Sequence, residues 1–119
     1  MGNRIDIILS EPFKREVKPL RKKFPSLSQE LRELAEQLTA NPKLGTSIGK
    51  GCYKVRLAVR SKGGGKSGGM RVITFVVVQF RQSADGTTTV YLASIYDKSE
   101  RENIDDARLQ RILAELPTF

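Results

Sequence analysis

Lys54, Arg56 and Arg60 recur at even spacing along Tyr53-Lys54-Val55-Arg56-Leu57-Ala58-Val59-Arg60, and Tyr53, Val55, Leu57 and Val59 take the odd positions. Side chains of an extended strand alternate between its two faces, so the cations fall on one side and the apolar residues on the other. Arg71 opens the next β-prone run; if it reaches the same side, four positive side chains converge. Bringing like charges together is unfavourable unless an anion joins them. Local acids do not join them here. From Gln37 to Ala84 there is no Asp or Glu, and the nine Lys and Arg residues of that stretch carry the whole excess of a chain with net charge +8. A one-signed block of this kind points to a polyanion, of which nucleic acid is the commonest. The competing readings are a solubility patch, an acidic protein partner, or salt bridges to helices elsewhere in the chain.

The residue inventory narrows the chemistry further. There is no histidine, which removes Ser-His-Asp and Cys-His catalysis and the commonest metal ligand. Cys52 is the only cysteine, so no internal disulfide forms, and it reads as a buried strand-end residue rather than a nucleophile. Any reaction must use Lys, Arg, Tyr, Glu or Asp, and neither a metal nor a cofactor is expected. Gly65-Lys66-Ser67 invites comparison with a nucleotide-binding loop, but the required earlier glycine is Arg60 and a strand follows where a helix is needed. The run from Lys62 to Gly69 reads instead as a glycine-rich hairpin loop whose Lys62 and Lys66 can swing over a bound phosphate backbone.

These residues need a scaffold. Ile5 to Leu9 suits a first strand. Ser10-Glu11-Pro12 reads as a helix start, and Phe13, Val17, Leu20 and Phe24 follow at helical spacing, with a kink or break expected at Pro19. Ser26 and Gln29 have the spacing of a capping box, and Leu27, Leu31, Leu34 and Leu38 line a second helix that ends at Asn41-Pro42. Lys43 to Gly51 reads as loop. Strands are expected at Tyr53 to Arg60, Arg71 to Phe80 and Thr89 to Asp97, with a turn at Asp85-Gly86 and a last helix over Asp105 to Leu116. The expected fold is therefore α+β in the order β-α-α-β-β-β-α, a helical hairpin packed on a curved, mainly antiparallel, four-stranded sheet. A chain of 119 residues suits a single domain, residues 1–119. The longest apolar run, Val72 to Val78, has strand length, and no apolar signal region follows Met1, so a cytoplasmic protein without membrane contact is expected.

Several stretches together resemble RelE-type toxins of toxin–antitoxin systems, especially the HigB-like branch. They are Asn41-Pro42-Lys43-Leu44-Gly45, Gly51-Cys52-Tyr53-Lys54-Val55-Arg56-Leu57, Gly65-Lys66-Ser67-Gly68-Gly69-Met70-Arg71-Val72-Ile73 and Ile95-Tyr96-Asp97-Lys98-Ser99-Glu100. The resemblance implies an α+β domain whose sheet cradles RNA. It also implies an endoribonuclease that cuts mRNA on the ribosome and is neutralised by a cognate antitoxin. It aligns Lys54 and Arg56 with lysines of the strand after the helical hairpin. Arg71 falls on an arginine opening the next strand, and Lys66 on a loop lysine. The chain departs from the pattern at Ser99, where the family carries an arginine, and it has no tyrosine after Tyr96; Tyr96 and Lys98 are the nearest substitutes.

RNA can be cut without metal when its 2′-hydroxyl attacks the adjacent phosphorus and fixed cations stabilise the charge that gathers on the phosphoryl oxygens. On this reading Lys54, Arg56, Lys66, Arg71 and Tyr96 are catalytic. Arg56 and Arg71 clamp the phosphate, Lys54 or Lys66 takes the proton, and Tyr96 stacks a base or orients the hydroxyl. Lys50, Arg60, Lys62 and Lys98 contact the RNA backbone. Two alternatives stand beside it: a ParE-like inhibitor of DNA gyrase on the same fold, and a non-catalytic RNA-binding domain.

Overall fold

The structure is a computed structural model that describes residues 4–63, 69–80, 86–100 and 103–116. Its elements are β1 (Arg4–Leu9), α1 (Glu11–Lys23), α2 (Leu27–Ala40), β2 (Thr46–Gly49), β3 (Cys52–Leu57), β4 (Met70–Phe80), β5 (Gly86–Asp97) and α3 (Asp106–Ala114). The architecture is α+β. The sheet has five strands, in the order β1-β5-β4-β3-β2, rather than the four expected. The β3-β4-β5 meander is antiparallel, while β1 pairs with β5 in parallel, Ile5 opposite Thr88 and Leu9 opposite Leu92.

The fifth strand, β2, lies in the segment expected to be loop. Thr46-Ser47-Ile48-Gly49 has no hydrophobic alternation to betray it; it is placed by pairing, Thr46 opposite Lys54. The turn into β3 is sharp, with Gly49, Lys50 and Gly51 all at positive φ. The next strand is shorter than expected and ends at Leu57, although Val59 continues into the core. The turn expected at Asp85 lies outside the described residues, as does most of the glycine-rich loop.

Ser10 caps α1 as expected, its hydroxyl accepting from the Phe13 amide at 3.2 Å. Helix α1 runs unbroken through Pro19. Pro19 removes the bond to the Arg15 carbonyl, but Phe13 and Val17 before it and Leu20 and Phe24 after it all pack into one core, which holds both halves in line. The capping box at Ser26 does not form. The Ser26 backbone is helical, and its hydroxyl instead pairs with Glu30 (2.9 Å) and Ser61 (2.8 Å). Asp105 caps α3, accepting from the Arg108 amide at 2.7 Å.

The sheet separates two cores. On one face α1 and α2 bury Phe13, Val17, Leu27, Leu34 and Leu38 against Val55, Leu57, Met70, Val72, Val90, Leu92 and Ile95. On the other, α3 lays Leu109 and Ile112, followed by Leu116, over Cys52, Ile73, Tyr91, Ala93 and Tyr96. Burial of β4 and β5 from both sides explains why their sequence reads as nearly continuous apolar run. No helix among the described residues is long and apolar enough to cross a membrane.

Candidate nucleic-acid interface

Strand pairing decides which cations meet. Arg56 on β3 stands directly opposite Arg71 on β4, and Arg71 directly opposite Tyr96 on β5. Directly paired residues share a face with Cβ atoms about 4.5–5.5 Å apart, so the three form one row across the sheet. Lys54 lies two residues along β3, on the same face, opposite Ile73. Four of the residues expected to be catalytic therefore converge on the face that carries α3. The fifth, Lys66, lies outside the described residues.

The four differ in exposure and partners. Arg56 is exposed and, among the described residues, makes no hydrogen bond or ion pair. Lys54 is half-buried and its Nζ donates to Asn103 Oδ1 at 3.0 Å, which ties the segment before α3 to β3. Arg71 is 3% exposed, and its Nη1 donates to the Met70 carbonyl at 3.1 Å. Tyr96 is buried in the core beneath α3. The row thus has an open end at Arg56 and a covered end at Tyr96, with a guanidinium lodged between them.

The expected backbone contacts scatter. Arg60 does not share the row: it follows the end of β3, its amide donates to Glu30 Oε2 at 2.7 Å, and its guanidinium lies 3.5 Å from the same carboxylate on α2. Lys62 is also turned inward, with Nζ 3.3 Å from Asp97 Oδ1. That oxygen accepts from the Ser99 amide (2.9 Å) and hydroxyl (2.8 Å) as well. Burial pushes the Asp97 carboxyl up, but the Ser99 hydrogen bonds and the Lys62 charge outweigh it and hold the group below its ordinary value. Lys50 sits at the β2–β3 turn with Nζ 3.8 Å from Asp106 on α3. Lys98 is half-buried, and its amide donates to the Gly69 carbonyl at 3.2 Å.

Cys52 is fully buried at the start of β3. Burial pushes its thiol up to about 11, against an opposing pull from Lys50, so at neutral pH it carries almost no thiolate.

Three polar contributors escaped the sequence reading. Asn103 meets Lys54 from far along the chain, and Asp97 joins distant Lys62 to its near neighbour Ser99. Glu16 reads as one more charge on α1, yet its Oε1 accepts from Ser94 Oγ (2.8 Å) and the Ile95 amide (3.2 Å) beside Tyr96. Nothing local in the sequence marks the long-range contacts of Asn103, Glu16 and Lys62. No protein-family model matches the chain.

Proposed function

We propose that this protein is a RelE-type toxin, an endoribonuclease that cuts messenger RNA on the ribosome without a metal and is restrained by a cognate antitoxin. The observation that carries this reading is the row of Arg56, Arg71 and Tyr96 across three strands, with Lys54 next to it on the same face. Two arginines directly opposite each other repel, and a phosphate placed beside them turns that repulsion into attraction.

In the proposed reaction the 2′-hydroxyl oxygen attacks phosphorus as it loses its proton, and the bond to the 5′-oxygen of the next nucleotide breaks. The products are a 2′,3′-cyclic phosphate and a 5′-hydroxyl end, the leaving oxygen taking up a proton. Arg56 meets the phosphoryl oxygens directly from its exposed position. Arg71 adds its charge from beneath, where low dielectric lets a fixed cation act without contact. Lys54 is the proposed acceptor of the 2′-hydroxyl proton, and Tyr96, buried beneath α3, stands beside Arg71 at the covered end of the row without reaching the RNA.

Primer extension on cellular mRNA after induction tests the reading. Wild type is expected to produce new 5′ ends within translated messages, with cyclic phosphate on the upstream fragments, and Arg56→Ala is expected to lose about 10²–10³ in cleavage rate, as removal of one oxyanion donor commonly does. Intact messages with induced DNA damage would overturn it in favour of gyrase inhibition. RNA binding without new ends would overturn it in favour of a non-catalytic RNA-binding domain.

A further inference from the structure

β5 changes its alternation once, and that change decides what Tyr96 faces. Tyr91 belongs to the core under α3 and Leu92 to the core under the helical hairpin. Leu92 then stands opposite Thr74 and Ser94 opposite Ile73, so Ala93 is an extra residue with no partner on β4. Beyond this bulge Ile95 enters the hairpin core and Tyr96 the α3 core. Without the extra residue the parity reverses: Ile95 would oppose Arg71, and Tyr96 would oppose Met70 and point toward the helical hairpin.

The bulge falls where β5 has lost a neighbour, because β1 stops at Leu9, opposite Leu92. A bare strand edge leaves backbone groups in need of partners. Here α1 and its cap supply them. The Ser10 amide donates to the Leu92 carbonyl (3.1 Å), and the Ser10 hydroxyl donates to the Ala93 carbonyl (3.2 Å). Glu16 Oε1 then accepts from Ser94 Oγ and the Ile95 amide, at 2.8 and 3.2 Å. Its second oxygen accepts from Arg108 Nη2 on α3 at 2.7 Å. One carboxylate thus joins both layers around the sheet edge and grips the two residues just past the bulge.

We infer that Glu16 is a positioning residue: it holds the Ala93 bulge in the register that places Tyr96 beside Arg71. Its value to catalysis rests on the nuclease reading of that row; its hold on the register does not. Glu16 acts on the row through the strand, by way of Ser94 and the Ile95 amide, and through Arg108 on α3, which lines the same cavity as Tyr96.

The test combines a structural and a kinetic readout. In the folded wild type, cross-strand nuclear Overhauser contacts pair Tyr96 with Arg71; in Glu16→Ala they are expected to weaken or shift toward Met70. Cleavage by Glu16→Ala is expected to fall about 10²-fold, the scale of a small misplacement at a reacting centre. The double variant Glu16→Ala/Tyr96→Ala should be no slower than Tyr96→Ala. Glu16→Gln keeps an acceptor for the Ile95 amide and should retain the register. If Glu16→Ala does not fold, Glu16→Asp, one methylene short of that amide, takes its place. Retention of the Tyr96–Arg71 contacts in the alanine or aspartate variant overturns the inference, as do multiplicative losses in the double variant. If the wild type cuts no RNA, the nuclease reading falls and the register measurement alone decides the role of Glu16.

Discussion

Arg56 and Arg71 occupy one row yet pose different experimental questions. Arg56 is exposed and makes no ion pair among the described residues, so Arg56→Ala should change the thermal midpoint little while, on the proposed reading, cleavage falls about 10²–10³-fold. Truncating Arg71, which is almost fully buried, would leave a void under the row and confuse a loss of charge with a loss of fold. Asp97 makes a cleaner case for pH. Its carboxyl is held below the ordinary value, so its contribution is present above the unfolded pKa of about 3.9 and is lost as pH falls through the lower folded value. Asp97→Asn should therefore be less stable than wild type by about 1–3 kcal/mol near neutrality. Denaturant titrations at a series of pH values should show that gap closing only below pH ~4. The pairing of Arg71 with Tyr96 depends on the Ala93 bulge and is not marked locally, but the shared face of Lys54 and Arg56 was readable in the sequence because strand alternation has a period of two. The inward turn of Lys62 was not, since its partner Asp97 is brought near only by the meander. Arg60 was misplaced because alternation cannot say where a strand stops.

At the scale of elements, three helices and the β3-β4-β5 meander were legible from apolar spacing and caps. β1 was recognised as a strand, but its parallel pairing with β5 is a contact between the two ends of the chain that no local signal specifies. β2 was hidden because four residues without an apolar stripe resemble any polar loop. The register that creates the Arg56–Arg71 pair is guarded by Gly69. A Cβ added there would collide with the Leu57 carbonyl oxygen, immediately before the pairing of Leu57 with Met70. Gly69→Ala should therefore force β3 and β4 apart at that end and lower stability by about 1–3 kcal/mol, as overpacking commonly does. Thermal denaturation measures the loss, and weakened protection of the Arg56 and Met70 amides in hydrogen exchange would locate it.

Across the whole molecule, the acid-free stretch and the net charge of +8 predict binding that weakens steeply with salt. With about five single-strand phosphate contacts, log affinity against log salt should slope near −3.5, and a flat response in a filter-binding titration would exclude a phosphate-tracking surface. The cost of gathering this charge is carried by two apolar cores rather than one. The lysines and arginines need not contribute to stability if the cores on either face of the sheet do so.

The interior position of β5 has a consequence for biogenesis. It pairs with β1 on one side and β4 on the other, and its residues enter both cores, yet among the described elements only α3 comes after it. Contacts between distant parts of a chain form late. During translation, therefore, the helical hairpin and the early strands emerge without the strand that unites them, and Tyr96 is among the last residues to reach the row. A chain interrupted before β5 is made holds neither the Arg71–Tyr96 pairing nor a complete core on either face of the sheet.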